Sequence, residues 1–91
     1  MIPDNIIDEV RVRADLVELI GEHVSLKRAG KEFVGLCPFH HEKTPSFHVV
    51  PHKNFYMCFG CGENGDVFKF LMKRAGMSFQ DAVRTIAEKV G

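Results

Sequence analysis

The sequence predicts an α+β fold, an antiparallel β-sheet flanked by N-terminal and C-terminal helices. Three observations point to it. Apolar residues recur at helical spacing at both ends of the chain, and between those ends the period shifts toward two. Cys37 with His40, and Cys58 with Cys61, form two i, i+3 pairs around the second half of that alternating stretch. Two ligands at this spacing around a tight turn can point at one ion, and two such turns on neighbouring hairpins supply four tetrahedral corners. The centre of the chain, about residues 23–64, therefore reads as a zinc ribbon between helices at about 4–22 and about 66–90, all in a single domain spanning 1–91.

Ile6, Ile7, Val10 and Ala14 share a helical stripe behind Pro3, a residue compatible with a first helical turn. Asp15 and Glu18 then form a capping-box-like start for a second short helix whose apolar face is Leu16, Leu19 and Ile20, ending at Gly21. Val24 and Leu26 alternate with polar neighbours, and Ala29-Gly30 turns the chain into Phe33-Val34-Gly35-Leu36, a first hairpin. Phe47 to Val50 and Phe55 to Cys58, joined through Pro51-His52-Lys53-Asn54, form a second. Gly60 and Gly62 flank Cys61 and permit a left-handed backbone at the second ligand pair. Asp66 caps a helix carrying Val67, Phe70 and Leu71 on one face and closing at Gly76; Ser78 caps a last helix with Phe79, Ala82, Val83, Ile86, Ala87 and Val90.

A chain of 91 residues supports only a modest core, so a metal would add substantially to its stability. Three cysteines leave one thiol over in any disulfide scheme, whereas a Cys3His site uses all three. A redox Cys58-x-x-Cys61 pair would require a preceding βαβ unit, and none is evident. Four protein ligands close the coordination sphere, so one zinc ion held by Cys37, His40, Cys58 and Cys61 is expected to be structural. His41 would break the i, i+3 symmetry; it, His48 and His52 read either as solvated surface or as phosphate or partner contacts. Pro3, Asp4, Asn5 and Asp8 interrupt any signal-like apolar stretch, and no apolar run nears the roughly 20 residues that span a bilayer. A cytoplasmic setting, where thiols stay reduced, is expected.

The formal net charge is zero, but it is unevenly spread. Residues 1–22 carry two cations against six anions; residues 23–57 carry Lys27, Arg28, Lys31, Lys43 and Lys53 against Glu32 and Glu42, together with all five histidines. A partner bearing phosphates would meet this centre. No convincing cluster of carboxylates is present there to hold catalytic metal ions, so catalysis by these residues alone is not expected.

Gly35-Leu36-Cys37-Pro38-Phe39-His40, Glu42-Lys43-Thr44-Pro45-Ser46-Phe47 and Cys58-Phe59-Gly60-Cys61-Gly62 together resemble the N-terminal zinc-binding domain of bacterial DNA primase, the DnaG type with its CHC2 zinc ribbon. The resemblance extends over essentially the whole chain. It implies a domain that recognises the single-stranded DNA template in the primosome and supports RNA primer synthesis in DNA replication. Nucleotidyl transfer would belong to a separate RNA polymerase domain, in cis or in trans, and contact with the replicative helicase to a C-terminal domain; both would lie outside these 91 residues. Glu63 and Asn64 depart from the small residues common in the family's second knuckle, and Glu63 would add negative charge near a phosphate path.

Single-stranded DNA is held by cations that track phosphates and aromatic faces that stack on bases. On that basis Lys27, Arg28, Lys31, Lys43 and Lys53 are candidate phosphate contacts, Thr44 and Ser46 candidate hydroxyl donors, and Tyr56 the candidate stacker, with Phe47 and Phe55 in the core. A zinc ribbon that docks on a polymerase without touching DNA, through the acidic helices at 4–22, is the alternative reading.

Overall fold

In the computed structural model, which describes residues 1–91, two helices open the chain: α1 (Asp4–Arg13) and α2 (Leu16–Gly21). Pro3 stands just before α1, and its carbonyl accepts from the N–H groups of Ile6 and Ile7 at 3.1 Å each. Val10 is buried and Ile7 half-buried, whereas Ile6 is exposed, so the apolar stripe is narrower than its spacing suggested. Asp15 caps α2 as expected, its carboxylate accepting from the N–H of Glu18 at 3.0 Å.

Five antiparallel strands follow in sequential order: β1 (Lys27–Ala29), β2 (Glu32–Gly35), β3 (Phe47–Val50), β4 (Phe55–Cys58) and β5 (Asn64–Gly65). The first strand starts later than the alternation from Val24 predicted. The N–H of Val24 still donates to the carbonyl of Ile20 at 2.9 Å, and its side chain is buried with α2, so helical bonding claims this segment. Gly30, at φ +67°, turns β1 into β2; a 3₁₀ turn at Pro51–Lys53 with Asn54 left-handed at φ 58° joins β3 to β4. The two-residue β5 has no periodicity to read and went unpredicted.

The register separates two faces. Arg28, Phe33, Val49, Tyr56 and Gly65 form one cross-strand row, and Lys27, Val34, His48, Met57 and Asn64 form the neighbouring row on the opposite side. The helices share their core with the first side; on the other side Val50 is buried and its cross-strand partner Phe55 half-buried. Phe47, Val49, Tyr56 and Cys58 join Leu16, Leu19, Ile20, Phe68, Phe70, Val83 and Ile86 in one core, and each such side chain taken wholly out of water stabilises the fold by roughly 1.5–3 kcal/mol. Phe47 stacks on Tyr56 at 5.5 Å, and Phe70 of the third helix meets Tyr56 edge-on at 5.6 Å. Tyr56 is thus at the centre of the core, not exposed. Phe55, expected inside, is half-buried on the opposite side of the sheet.

The closing helices are α3 (Val67–Ala75) and α4 (Phe79–Val90), capped as the sequence predicted. Asp66 accepts from the N–H of Lys69 at 2.9 Å, Ser78 from that of Asp81 at 3.1 Å, and Gly76 is left-handed at φ +68°. Asp66 also accepts from Arg11 Nε at 2.9 Å, and the guanidinium lies 5.2 Å from the Phe68 ring centre, tying α1 to the start of α3.

Candidate metal centre and sheet surface

Strands β2 and β4 run in the same direction, so the Cys37 pair that follows one and the Cys58 pair that ends the other meet at one end of the sheet. The tight turns at Gly30 and at Pro51–Lys53 lie at the other end. The ligand atoms of Cys37, His40, Cys58 and Cys61 all lie within 4.8 Å of one another. Cys37 Sγ is 3.9 Å from Cys61 Sγ, and Cys58 Sγ is 3.9 Å from His40 Nδ1. A tetrahedral zinc with its usual bond lengths separates its ligands by about 3.6–3.8 Å, so the cluster is the right size.

The chemistry of the donors agrees. Burial, reinforced by neighbouring sulfurs and opposed by the N–H of Phe39, pushes the Cys37 thiol up to about 12. Burial also works against ionisation of Cys58, but the Ser46 hydroxyl and the N–H groups of Cys61 and Gly60 outweigh it and hold that thiol below its ordinary range. Three sulfurs this close cannot all ionise without a cation among them, and a divalent metal supplies one. These residues form the site of a single structural zinc ion: three thiolates and one imidazole leave no position for water.

Glu42 holds the site together, and the sequence reading missed it. Its carboxylate accepts from the N–H of Cys37 at 2.9 Å, from the N–H of Ser46 at 3.1 Å and from the Ser46 hydroxyl, and lies 3.1 Å from His40 Nε2. The Ser46 hydroxyl first, then the backbone N–H groups of Cys37 and Ser46 and the nearby His40, keep this carboxyl below the usual range against the effect of burial. With Nε2 engaged by a carboxylate, Nδ1 is the atom left for the metal, the arrangement that orients metal-bound histidines generally. An acid two residues beyond the ligand histidine was the available signal. Ser46 also lies 3.5 Å from Cys58 Sγ, so its hydroxyl serves the metal site and is not a free donor for DNA.

Gly60 is required for close approach, not for a left-handed backbone. A Cβ there would sit 2.8 Å from both His40 Nε2 and Ser46 Oγ. Gly62 is the left-handed residue, at φ +82°. Glu63 is engaged within the fold: its carboxylate accepts from Tyr56 Oη at 2.9 Å and from Lys73 Nζ at 3.0 Å, and its carbonyl accepts from the N–H of Cys58 at 2.8 Å. Burial raises its pKa, but Lys73 and Tyr56 reverse that and hold the carboxyl low, while burial and this same carboxylate push the Tyr56 hydroxyl up.

The remaining predicted contacts are scattered. Lys27, Arg28, Lys31, Lys43, Thr44 and Lys53 are all exposed. Lys27 lies in the uncovered row, whereas Arg28 belongs to the opposite row and donates from Nε to the carbonyl of Gly30 at 3.1 Å. Lys31 and Lys53 stand at the turns far from the metal, and Lys43 and Thr44 in the loop that carries Glu42. His41 and His52 are exposed, and neither joins the cluster.

On the uncovered side the sheet presents Val34, His48, Phe55 and Met57, and beside them Phe59, which is 68% exposed. The Phe59 ring stands edge-on to His48 at 4.8 Å. Phe59 follows Cys58 directly, and the exposed Leu36 directly precedes Cys37, so the metal fixes the backbone that carries both apolar side chains. Phe59, not Tyr56, is therefore the exposed aromatic on this side.

Comparison with known proteins agrees with this architecture. The CHC2 zinc finger family model matches residues 2–91. The chain is 52% identical over 87 residues to a DNA primase of Listeria monocytogenes, covering 96% of this chain and 14% of that protein. It is 53% identical over 91 residues to a DNA primase of Myxococcus xanthus, covering all of this chain and 15% of that one. The crystal structure of the zinc-binding and RNA polymerase domains of Aquifex aeolicus primase superposes with a TM-score of 0.89 at 40% identity, over 94% of this chain and 21% of that one. The chain thus spans only about one seventh of the length of these primases.

Proposed function

The chain belongs to the CHC2 zinc finger family of DNA primase zinc-binding domains, and from that premise we propose that its uncovered sheet face meets the single-stranded DNA template. The observation that carries this reading is the exposed Phe59 ring, set among Met57, His48 and Phe55 on a sheet face that no helix covers. Every base has a π-face, and stacking on an aromatic side chain is worth about 1–3 kcal/mol per base. Lys27 on this face, Lys43 and Thr44 in the metal-end loop, and Lys31 and Lys53 at the turns supply the phosphate contacts, with Arg28 beside them on the opposite row of β1. The cations are few. Binding by these residues alone should be weak, with a shallow salt slope equivalent to about two to four phosphates.

The zinc ion acts by position: it anchors the backbone on either side of the platform and does no chemistry. Primer synthesis is assigned to a separate RNA polymerase domain, in cis or in trans, and contact with the replicative helicase to another part of the primase, all in the cytoplasm. The pairing of zinc-binding and RNA polymerase domains in the Aquifex protein supports the first assignment. No helix of the chain is long and apolar enough to cross a membrane.

The test is titration of labelled single-stranded DNA with the zinc-loaded chain at low and moderate salt. Phe59→Ala should weaken binding about 5- to 150-fold, the equivalent of one lost stacking contact. Joint replacement of Lys27, Arg28 and Lys31 by alanine should flatten the salt slope. Unchanged affinity in both variants would move the site off this face.

A further inference from the structure

The uncovered face carries a carboxylate where a phosphate path would want none. Glu32 Oε1 lies 3.0 Å from His48 Nδ1, and His48 in turn meets Phe59 edge-on at 4.8 Å. The three residues form a diagonal across β2, β3 and the end of β4, with diagonal neighbours close enough for long and aromatic side chains to touch. Glu32 is partly exposed, its side chain retaining 40% of its accessible surface. A carboxylate only accepts, so the proton shared with His48 belongs to Nδ1, and the second Glu32 oxygen is left without a hydrogen-bond partner. Glu32 therefore offers a free hydrogen-bond acceptor on the diagonal beside the stacking ring.

We infer that Glu32, held in place by His48, forms a base-reading edge that selects a template base with an amino group at pyrimidine C4 or purine C6, cytosine or adenine, over a base with a keto oxygen at that position. The inference rests on the reading that Phe59 and its neighbours bind single-stranded DNA, and it goes further by assigning specificity to two residues. The chemistry is that of acidic side chains accepting from the cytosine amino group in duplex recognition. A keto oxygen placed against Glu32 would face an acceptor with no proton between them. Glu32 also repels phosphate, which favours bases over backbone on this diagonal.

The test compares oligomers that differ at the amino carbon: oligo-dC against oligo-dU, and oligo-dA against oligo-dI, titrated with the zinc-loaded chain. The amino-bearing member of each pair should bind about fivefold tighter, the value of one specific contact. Glu32→Gln, whose amide can donate as well as accept, should bring both ratios close to one without weakening oligo-dU; Glu32→Ala should do the same. Zinc content and circular dichroism report that the variants are folded. Equal binding of dC and dU by the unmodified chain, or a full ratio retained in Glu32→Gln, would overturn the inference while leaving the platform intact. If no oligomer binds, or Phe59→Ala weakens none of them, the platform and the inference fall together.

Discussion

Glu42 Oε1 lies 3.1 Å from His40 Nε2, which leaves Nδ1 of the same ring 3.9 Å from Cys58 Sγ and facing the metal position. One carboxylate thereby sets the orientation of the only non-sulfur ligand while accepting from the backbone of Cys37 and Ser46 on either side of it. Glu42→Ala should weaken zinc binding by about 10- to 100-fold, the usual effect of removing such a supporting partner. Competition with a chromogenic chelator measures this. Affinity equal to that of the unmodified chain would show that His40 is oriented by something else.

Gly60→Ala would place a methyl group 2.8 Å from His40 Nε2 and from Ser46 Oγ. Neither neighbour can retreat without loosening its hydrogen bond to Glu42. The expected outcome is faster zinc release to a chelator, with the core aromatic signal in near-ultraviolet circular dichroism retained while metal is bound. Gly62→Ala, strained by its left-handed backbone but with open space around its Cβ, should leave the His40–Glu42 contact undisturbed.

Tyr56→Phe keeps the buried ring and deletes the hydroxyl that donates to Glu63 at 2.9 Å. A hydrogen bond to a charged group is worth about 1.5–3 kcal/mol, so the melting temperature should fall. Lys73 still pairs with Glu63, which places the expected loss at the lower end of that range. Affinity for single-stranded DNA should be unchanged because the ring faces the core; a marked loss of affinity in a folded variant would restore Tyr56 as a nucleic-acid contact.

Local chemistry was legible in the sequence. Asp15, Asp66 and Ser78 read as caps because a short polar side chain before an apolar stripe satisfies N–H groups within three residues, with no tertiary information needed. The ligand pairs were legible for the same reason. Strand alternation predicted correctly that Phe55 and Tyr56 would face opposite ways, but it carries no sign, and hydrophobicity alone favoured the phenylalanine for the core. Tyr56 stands two residues before Cys58 and so shares the face that turns inward, and Glu63, seven residues on, satisfies its hydroxyl. Glu42 and Ser46 were visible as part of a motif, but their service to the metal depends on a loop that folds back across both knuckles, and such contacts leave no periodic signal. Phe59 stands inside the Cys58-Phe59-Gly60-Cys61-Gly62 motif, and nothing in that motif alone says that its ring faces solvent.

If zinc holds the uncovered face in the conformation proposed to bind single-stranded DNA, removing the metal must abolish that binding. Structural zinc contributes about 10–16 kcal/mol of apparent binding energy at neutral pH in small peptides, comparable to the entire stability of a small domain. The measurement is single-stranded DNA affinity, with near-ultraviolet circular dichroism in parallel, before chelation, after it, and after zinc is restored under reducing conditions. Loss of both the aromatic signal and the DNA affinity on chelation, with recovery of both on adding zinc back, is the expected result. A metal-free chain that keeps its aromatic signal and binds DNA as tightly as the zinc-loaded one would contradict it.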